Sequence, residues 1–159
     1  MLTIIGCGNL NRCDDAAGVR VVQRLLDDFD GAPPPGVQLF DAGTNGMEVM
    51  FQARGSEVLI LIDACRSGSE PGAVFEVPGE ELAARPAPSY NLHDFRWDHA
   101  LFAGRQIFAD DFPDEVAVYL IEAERLDLGI GLSPAVERAV DQVVDQLKAR
   151  IHAWRRDAV

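Results

Sequence analysis

Five consecutive apolar residues, Val58-Leu59-Ile60-Leu61-Ile62, run straight into Asp63-Ala64-Cys65. The run has no polar face, so it suits a strand buried on both sides, as in a parallel sheet covered by helices. In open α/β sheets ligands gather outside the carboxyl ends of the strands. Asp63 therefore stands where chemistry is normally found, or else it caps the loop that follows; the run itself leaves both readings open.

The rest of the chain alternates around this strand. Residues 2–5 read as a first strand, followed by a tight turn at Gly6-Cys7-Gly8-Asn9. Asp14-Asp15 suit a helix start, where carboxylates accept free N–H groups and oppose the dipole. Gly18, Val21, Val22, Leu25, Leu26 and Phe29 then share one helical face, and the helix should end near Gly31. A second strand is predicted over 37–40, closed by Asp41-Ala42-Gly43-Thr44, with a short helix over 46–52. Beyond the central run, 73–77 reads as a less buried strand and 78–92 as the least regular stretch. A helix is predicted from about His93 to Ile107, a strand over 116–121, and a long last helix opened by Ser133-Pro134, with Ser as N-cap. The expectation is a single domain over 1–159: α/β class, a three-layer α/β/α sandwich around a mostly parallel, twisted sheet of about five strands.

Net charge is −12, and Lys and Arg cluster only at Arg155-Arg156. Phosphate binding needs clustered cations, so nucleic acid and anionic membranes are not expected partners. No apolar run approaches the length of a membrane span, and the N-terminus does not read as a signal peptide. The cysteines number three, Cys7, Cys13 and Cys65, with no C-x-x-C pair; a reducing cytoplasm fits better than a disulfide framework.

The first turn departs from a dinucleotide fingerprint. Gly6-Cys7-Gly8-Asn9-Leu10-Asn11 has Asn where the third glycine belongs, and Asp14 and Asp15 would face a pyrophosphate with the wrong sign. Acids do converge on the strand ends: Asp14 and Asp15 after the first strand, Asp41 after the second, Asp63 after the third. Neighbouring strands lie about 4.8 Å apart, so such carboxylates can share one ion. With His93 after the irregular stretch they offer an open site for a divalent transition metal. The alternative is that Asp14 and Asp15 merely cap a helix and that His93 caps its own. A cysteine hydrolase using one of the three thiols and His93 is a further possibility.

Four blocks carry a resemblance. Gly6-x-Gly8-Asn9-x-x-x-x-Asp14-Asp15-x-x-Gly18-Val19-Arg20, Asp41-Ala42-Gly43-Thr44-x-Gly46-Met47, Leu61-Ile62-Asp63-Ala64 and Leu92-His93 resemble, in order, the motifs of hydrogenase maturation proteases. These endopeptidases trim the large-subunit precursor of [NiFe] hydrogenases. The resemblance implies three metal ligands, Asp15, Asp63 and His93, and a substrate-defining turn at Asp41, Gly43 and Thr44. It implies that the precursor arrives with nickel in its cysteine-bound centre, that these three residues meet the nickel, and that cleavage releases a C-terminal extension. The metal would act on the scissile carbonyl or on a water, or would only hold the substrate while a carboxylate such as Asp14 served as base. A docking or nickel-delivery module would use the same ligands without cutting. Asp15 stands where the family often has Glu, and Ile121-Glu122-Ala123-Glu124-Arg125 replaces the Gly-x-Gln-Pro of many members.

Overall fold

The computed structural model describes residues 1–83 and 96–157. Five strands form one sheet: β1 (Leu2–Cys7), β2 (Val37–Gly43), β3 (Val58–Cys65), β4 (Val74–Pro78) and β5 (Glu115–Glu122). Their order is β2-β1-β3-β5-β4. β1 pairs in parallel with β2 and β3, and β3 with β5; β4 lies antiparallel against β5 at the edge. The helices are α1 (Ala17–Asp28), α2 (Gly46–Ala53), α3 (Gly79–Ala83), α4 (Trp97–Phe108) and α5 (Pro134–Asp157).

Side-chain parity along β3 divides the core in two. Val58, Ile60, Ile62 and Ala64 join Leu2 and Ile4 of β1 beneath α1 and α5, packed against Val21, Val22, Leu25, Val140, Val143 and Leu147. Leu59 and Leu61 join Ile5 and Cys7 beneath α2 and α4, against Val49, Met50, Trp97 and Leu101. The expected three layers are present, and the central run is buried on both faces because each face has its own pair of helices. Asp63, two residues after Leu61, inherits the α2/α4 face.

The chain leaves β1 for β2 on one side and later crosses to β3 on the other. Neighbours β1 and β3 are thus the point where strand order reverses, and the crevice above their carboxyl ends is where such sheets receive ligands. α1 is seated there by glycine. A Cβ on Gly18 would overlap the carbonyl oxygens of both Ile62 and Cys7. Gly18→Ala is therefore expected to push α1 off the sheet and cost about 3 kcal/mol, read as a lowered midpoint in urea denaturation.

Two local expectations are corrected and a third is refined. Asp14 and Asp15 do not open α1; they sit in a 3₁₀ turn, Cys13–Ala16, ahead of it. Ser133 does stand at the N-cap position ahead of Pro134, its carbonyl accepting the Glu137 N–H, and its hydroxyl donates to Asp14. The helix predicted from about His93 begins at Trp97, and His93 itself lies outside the described residues.

Candidate active site

Above the β1/β3 junction lies a cavity of about 240 Å³ lined by Cys7, Gly8, Asp15, Gly43, Thr44, Asn45, Gly46, Val49, Asp63, Arg96 and Trp97. Of the ligand and substrate-turn residues implied by the resemblance, Asp15, Asp63, Gly43 and Thr44 meet here. Asp41 is exposed, and its Oδ1 accepts the Gly43 N–H at 2.8 Å, so it shapes the turn that presents Gly43 and Thr44. Asn45 finishes that turn by accepting the Met47 and Glu48 N–H groups with its side chain, which caps α2.

Asp15 reaches the cavity from the 3₁₀ turn, and its Oδ2 accepts the Asn9 N–H at 3.0 Å. Gly8 makes this approach possible. Its φ is +136°, and any Cβ there would collide with the Asp15 carbonyl.

Asp63 is buried at the end of β3, 5% exposed. Its Oδ1 accepts the Ala64 N–H at 2.8 Å. Its Oδ2 accepts the Trp97 indole N–H at 2.7 Å and Arg96 Nη2 at 3.3 Å. Burial pushes the Asp63 carboxyl above the usual carboxylate range; the Trp97 hydrogen bond, the Arg96 charge and the Ala64 N–H pull it down, and the charge of Asp15 adds to the rise. The last effect places the two carboxylates in one electrostatic environment. Trp97→Phe deletes a donor that favours the ionised form, so the Asp63 pKa should rise further. The acid limb of the pH–rate profile is then expected to move to higher pH relative to wild type.

Asp14 belongs elsewhere. It is wholly buried and faces the loop between β5 and α5. Its Oδ1 accepts the Ser133 N–H at 2.7 Å; its Oδ2 accepts the N–H groups of Glu124 (2.9 Å) and Arg125 (2.8 Å) and the Ser133 hydroxyl (2.7 Å). It does not line the cavity, so its expected alternative role as a base is withdrawn. The adjacent Arg12 and Cys13 complete the junction: Arg12 Nε donates to the Leu126 carbonyl and the Cys13 N–H to that of Gly129. Glu122, one of the acids in place of the common Gly-x-Gln-Pro, is also structural. It accepts the Ser67 and Gly68 N–H groups, the Ser67 hydroxyl and the Cys65 thiol.

The thiols are poorly placed for nucleophilic work. Burial, with the nearby Asp63 charge, drives the Cys7 thiol far above its ordinary pKa. Burial and Glu122 push Cys65 to about 12. Cys13 is buried beside Gly129, away from the acidic cavity. Thiolates are the reactive species, so this arrangement counts against a cysteine hydrolase.

Arg96 and Trp97 are the site residues that sequence reasoning did not assign a role. A tryptophan at the first turn of an amphipathic helix looks like core, and Trp97 is indeed buried. Only the packing of α4 over β3 turns its N–H toward Asp63. Among the described residues no cluster of three His, Cys, Asp or Glu side chains gathers to hold an ion. Two carboxylates lining one cavity are nonetheless hard oxygen donors suited to a divalent cation, and the third expected ligand, His93, lies outside the described residues.

A doubly wound α/β domain with paired carboxylates at its switch point is the class that fold and cavity define. The family model described as hydrogenase maturation protease matches residues 19–150. The chain is 30% identical to the hydrogenase 2 maturation protease of Escherichia coli K12 over 99% of its own length and 94% of that protein's. It is 26% identical to the hydrogenase expression/formation protein HupD of Rhodobacter capsulatus, over 95% of this chain and 71% of that one. Its fold is similar to the solved hydrogenase maturating endopeptidase HybD from E. coli, with a TM-score of 0.77 and 27% identity, covering 96% of this chain and 92% of that one. The chain belongs to the hydrogenase maturation protease family and is an endopeptidase.

Proposed function

We propose that this endopeptidase removes the C-terminal extension of a nickel-loaded [NiFe] hydrogenase large-subunit precursor. Nickel is cargo of the substrate: Asp15, Asp63 and His93 meet it on the enzyme's side, and the turn of Asp41, Gly43 and Thr44 receives the peptide. The observation that carries this reading is the meeting of Asp15 and Asp63, distant in sequence, in one cavity that Gly43 and Thr44 also line. In that cavity the residues of this chain have separable duties. Trp97 and the Ala64 N–H hold Asp63 in one orientation, Asn9 holds Asp15, and the burial of Asp63 keeps its charge unshielded by water. A metal held there would supply electrophilic polarisation or anchor the precursor.

The three cysteines are free thiols, which supports a reducing cytoplasm as the compartment. No helix among the described residues is long and apolar enough to cross a membrane.

The test is mass spectrometry of nickel-loaded and nickel-free precursor after incubation with wild type or Asp63→Asn. Loss of the extension is expected only for loaded precursor with wild type. A precursor of unchanged mass that still binds the chain would instead indicate a docking or delivery module. Cleavage of both forms would remove nickel from the reading.

A further inference from the structure

The acidic cavity contains a cation of its own. Of its lining residues, Asp15, Asp63 and Arg96 carry formal charge. Arg96 reaches Asp63 Oδ2 with one long contact, 3.3 Å, from a side chain that is 67% exposed. Trp97 donates to the same oxygen at 2.7 Å from a buried position in α4. The two donors differ in permanence. The indole is fixed by the core, whereas the guanidinium is exposed and holds the carboxylate by one long contact, so it is the donor that a competing cation displaces. Apart from that contact, the hydrogen bonds of Arg96 among the described residues are made by its backbone: its N–H donates to His99 Nδ1 at 3.2 Å and its carbonyl accepts the Ala100 N–H. Its side chain is therefore free to leave without disturbing the start of α4.

We propose that Arg96 is a specificity-determining charge gate. In the free protein it occupies the cation position beside Asp63, and any metal that reaches this carboxylate must displace it. A loose divalent ion must overcome that displacement alone. A metal presented inside a protein substrate brings the rest of the docking contact with it, so the gate favours substrate-borne metal over ions in solution. This inference rests on the reading that Asp15 and Asp63 face the precursor's nickel.

The experiment is titration of the metal-free protein with Ni²⁺ alone, followed by calorimetry and by quenching of Trp97 emission in a Trp154→Phe background. Arg96→Gln is expected to bind Ni²⁺ about tenfold more tightly than wild type at low ionic strength. Arg96→Lys, which keeps the charge, should stay near wild type. The gap should narrow in about 1 M salt, where the screening length falls to about 3 Å. Equal or weaker binding by Arg96→Gln, with Asp63→Asn still lowering affinity in both backgrounds, overturns the gate and leaves the metal-facing role of Asp63 standing. Affinity indifferent to Asp63→Asn in every background, including no measurable binding, overturns that role as well.

Discussion

Asp63→Asn is expected to reduce processing of the nickel-loaded precursor by about three orders of magnitude while leaving the fold intact. The substitution is isosteric. Its amide oxygen still accepts the Trp97 N–H that now bonds Oδ2 at 2.7 Å, and the apolar packing of β3 on either side is untouched. What disappears is one negative charge, 5% exposed, facing the cavity, together with the acceptor of the Ala64 N–H, which the new amide nitrogen confronts at a local cost in stability. A unit charge pair at about 4 Å and an effective dielectric of about 20 is worth about 4 kcal/mol, or about a thousandfold in rate if it is made only in the transition state. Initial rates of loss of the C-terminal extension, with circular dichroism as the control for folding, give the comparison. A variant that cuts as fast as wild type would take Asp63 out of the reaction.

Asp14→Ala should have the opposite profile, with its largest effect on stability. The carboxylate satisfies four donors from the β5–α5 loop: the N–H groups of Glu124, Arg125 and Ser133 and the Ser133 hydroxyl. Each buried donor left without a partner costs about 1 to 3 kcal/mol, although some will find water. A total loss of about 4 kcal/mol is expected, large for a single substitution, and is measured as a lowered midpoint in chemical denaturation. Asp14→Asn should recover part of it. One amide oxygen can still take the three donors now at Oδ2, but the amide nitrogen then confronts the Ser133 N–H. Equal stability of wild type and Asp14→Ala would mean that the loop is held by its backbone bonds alone.

The contrast between these two aspartates shows what the sequence makes legible and what it withholds. The central strand was readable because five apolar residues have no polar alternative, and both of its faces are indeed covered. Asp63 was readable because a carboxylate after such a strand must emerge at the sheet's end. Asp14 and Asp15 were not separable in the same way. Their shared helix-start composition says only that acids suit that place. Which of them turns inward depends on a loop more than a hundred residues later, whose N–H groups carry no sequence signal. The same holds for Trp97, whose hydropathy announces a core residue and conceals a donor. Ser133 stands before α5 as its sequence position suggests, but the carboxylate that takes its hydroxyl proton, Asp14, comes from the far end of the chain and carries no local signal. The antiparallel direction of β4 was likewise invisible, since alternation identifies a strand but not the partner it runs against.

The short turn between Gly8 and Ala17 has an evolutionary consequence. Consecutive carboxylates there look in different directions, one into the hollow above the sheet and one into the body of the protein, because the Asn9, Arg12 and Cys13 backbone fixes the phase of the chain. Replacing a residue in that stretch alters the contacts of that residue alone. Inserting or deleting one shifts the phase, so that the side chain meant for the interior would arrive in the hollow and the other would be entombed. Spacing in this turn should therefore be policed far more strictly among descendants than lettering.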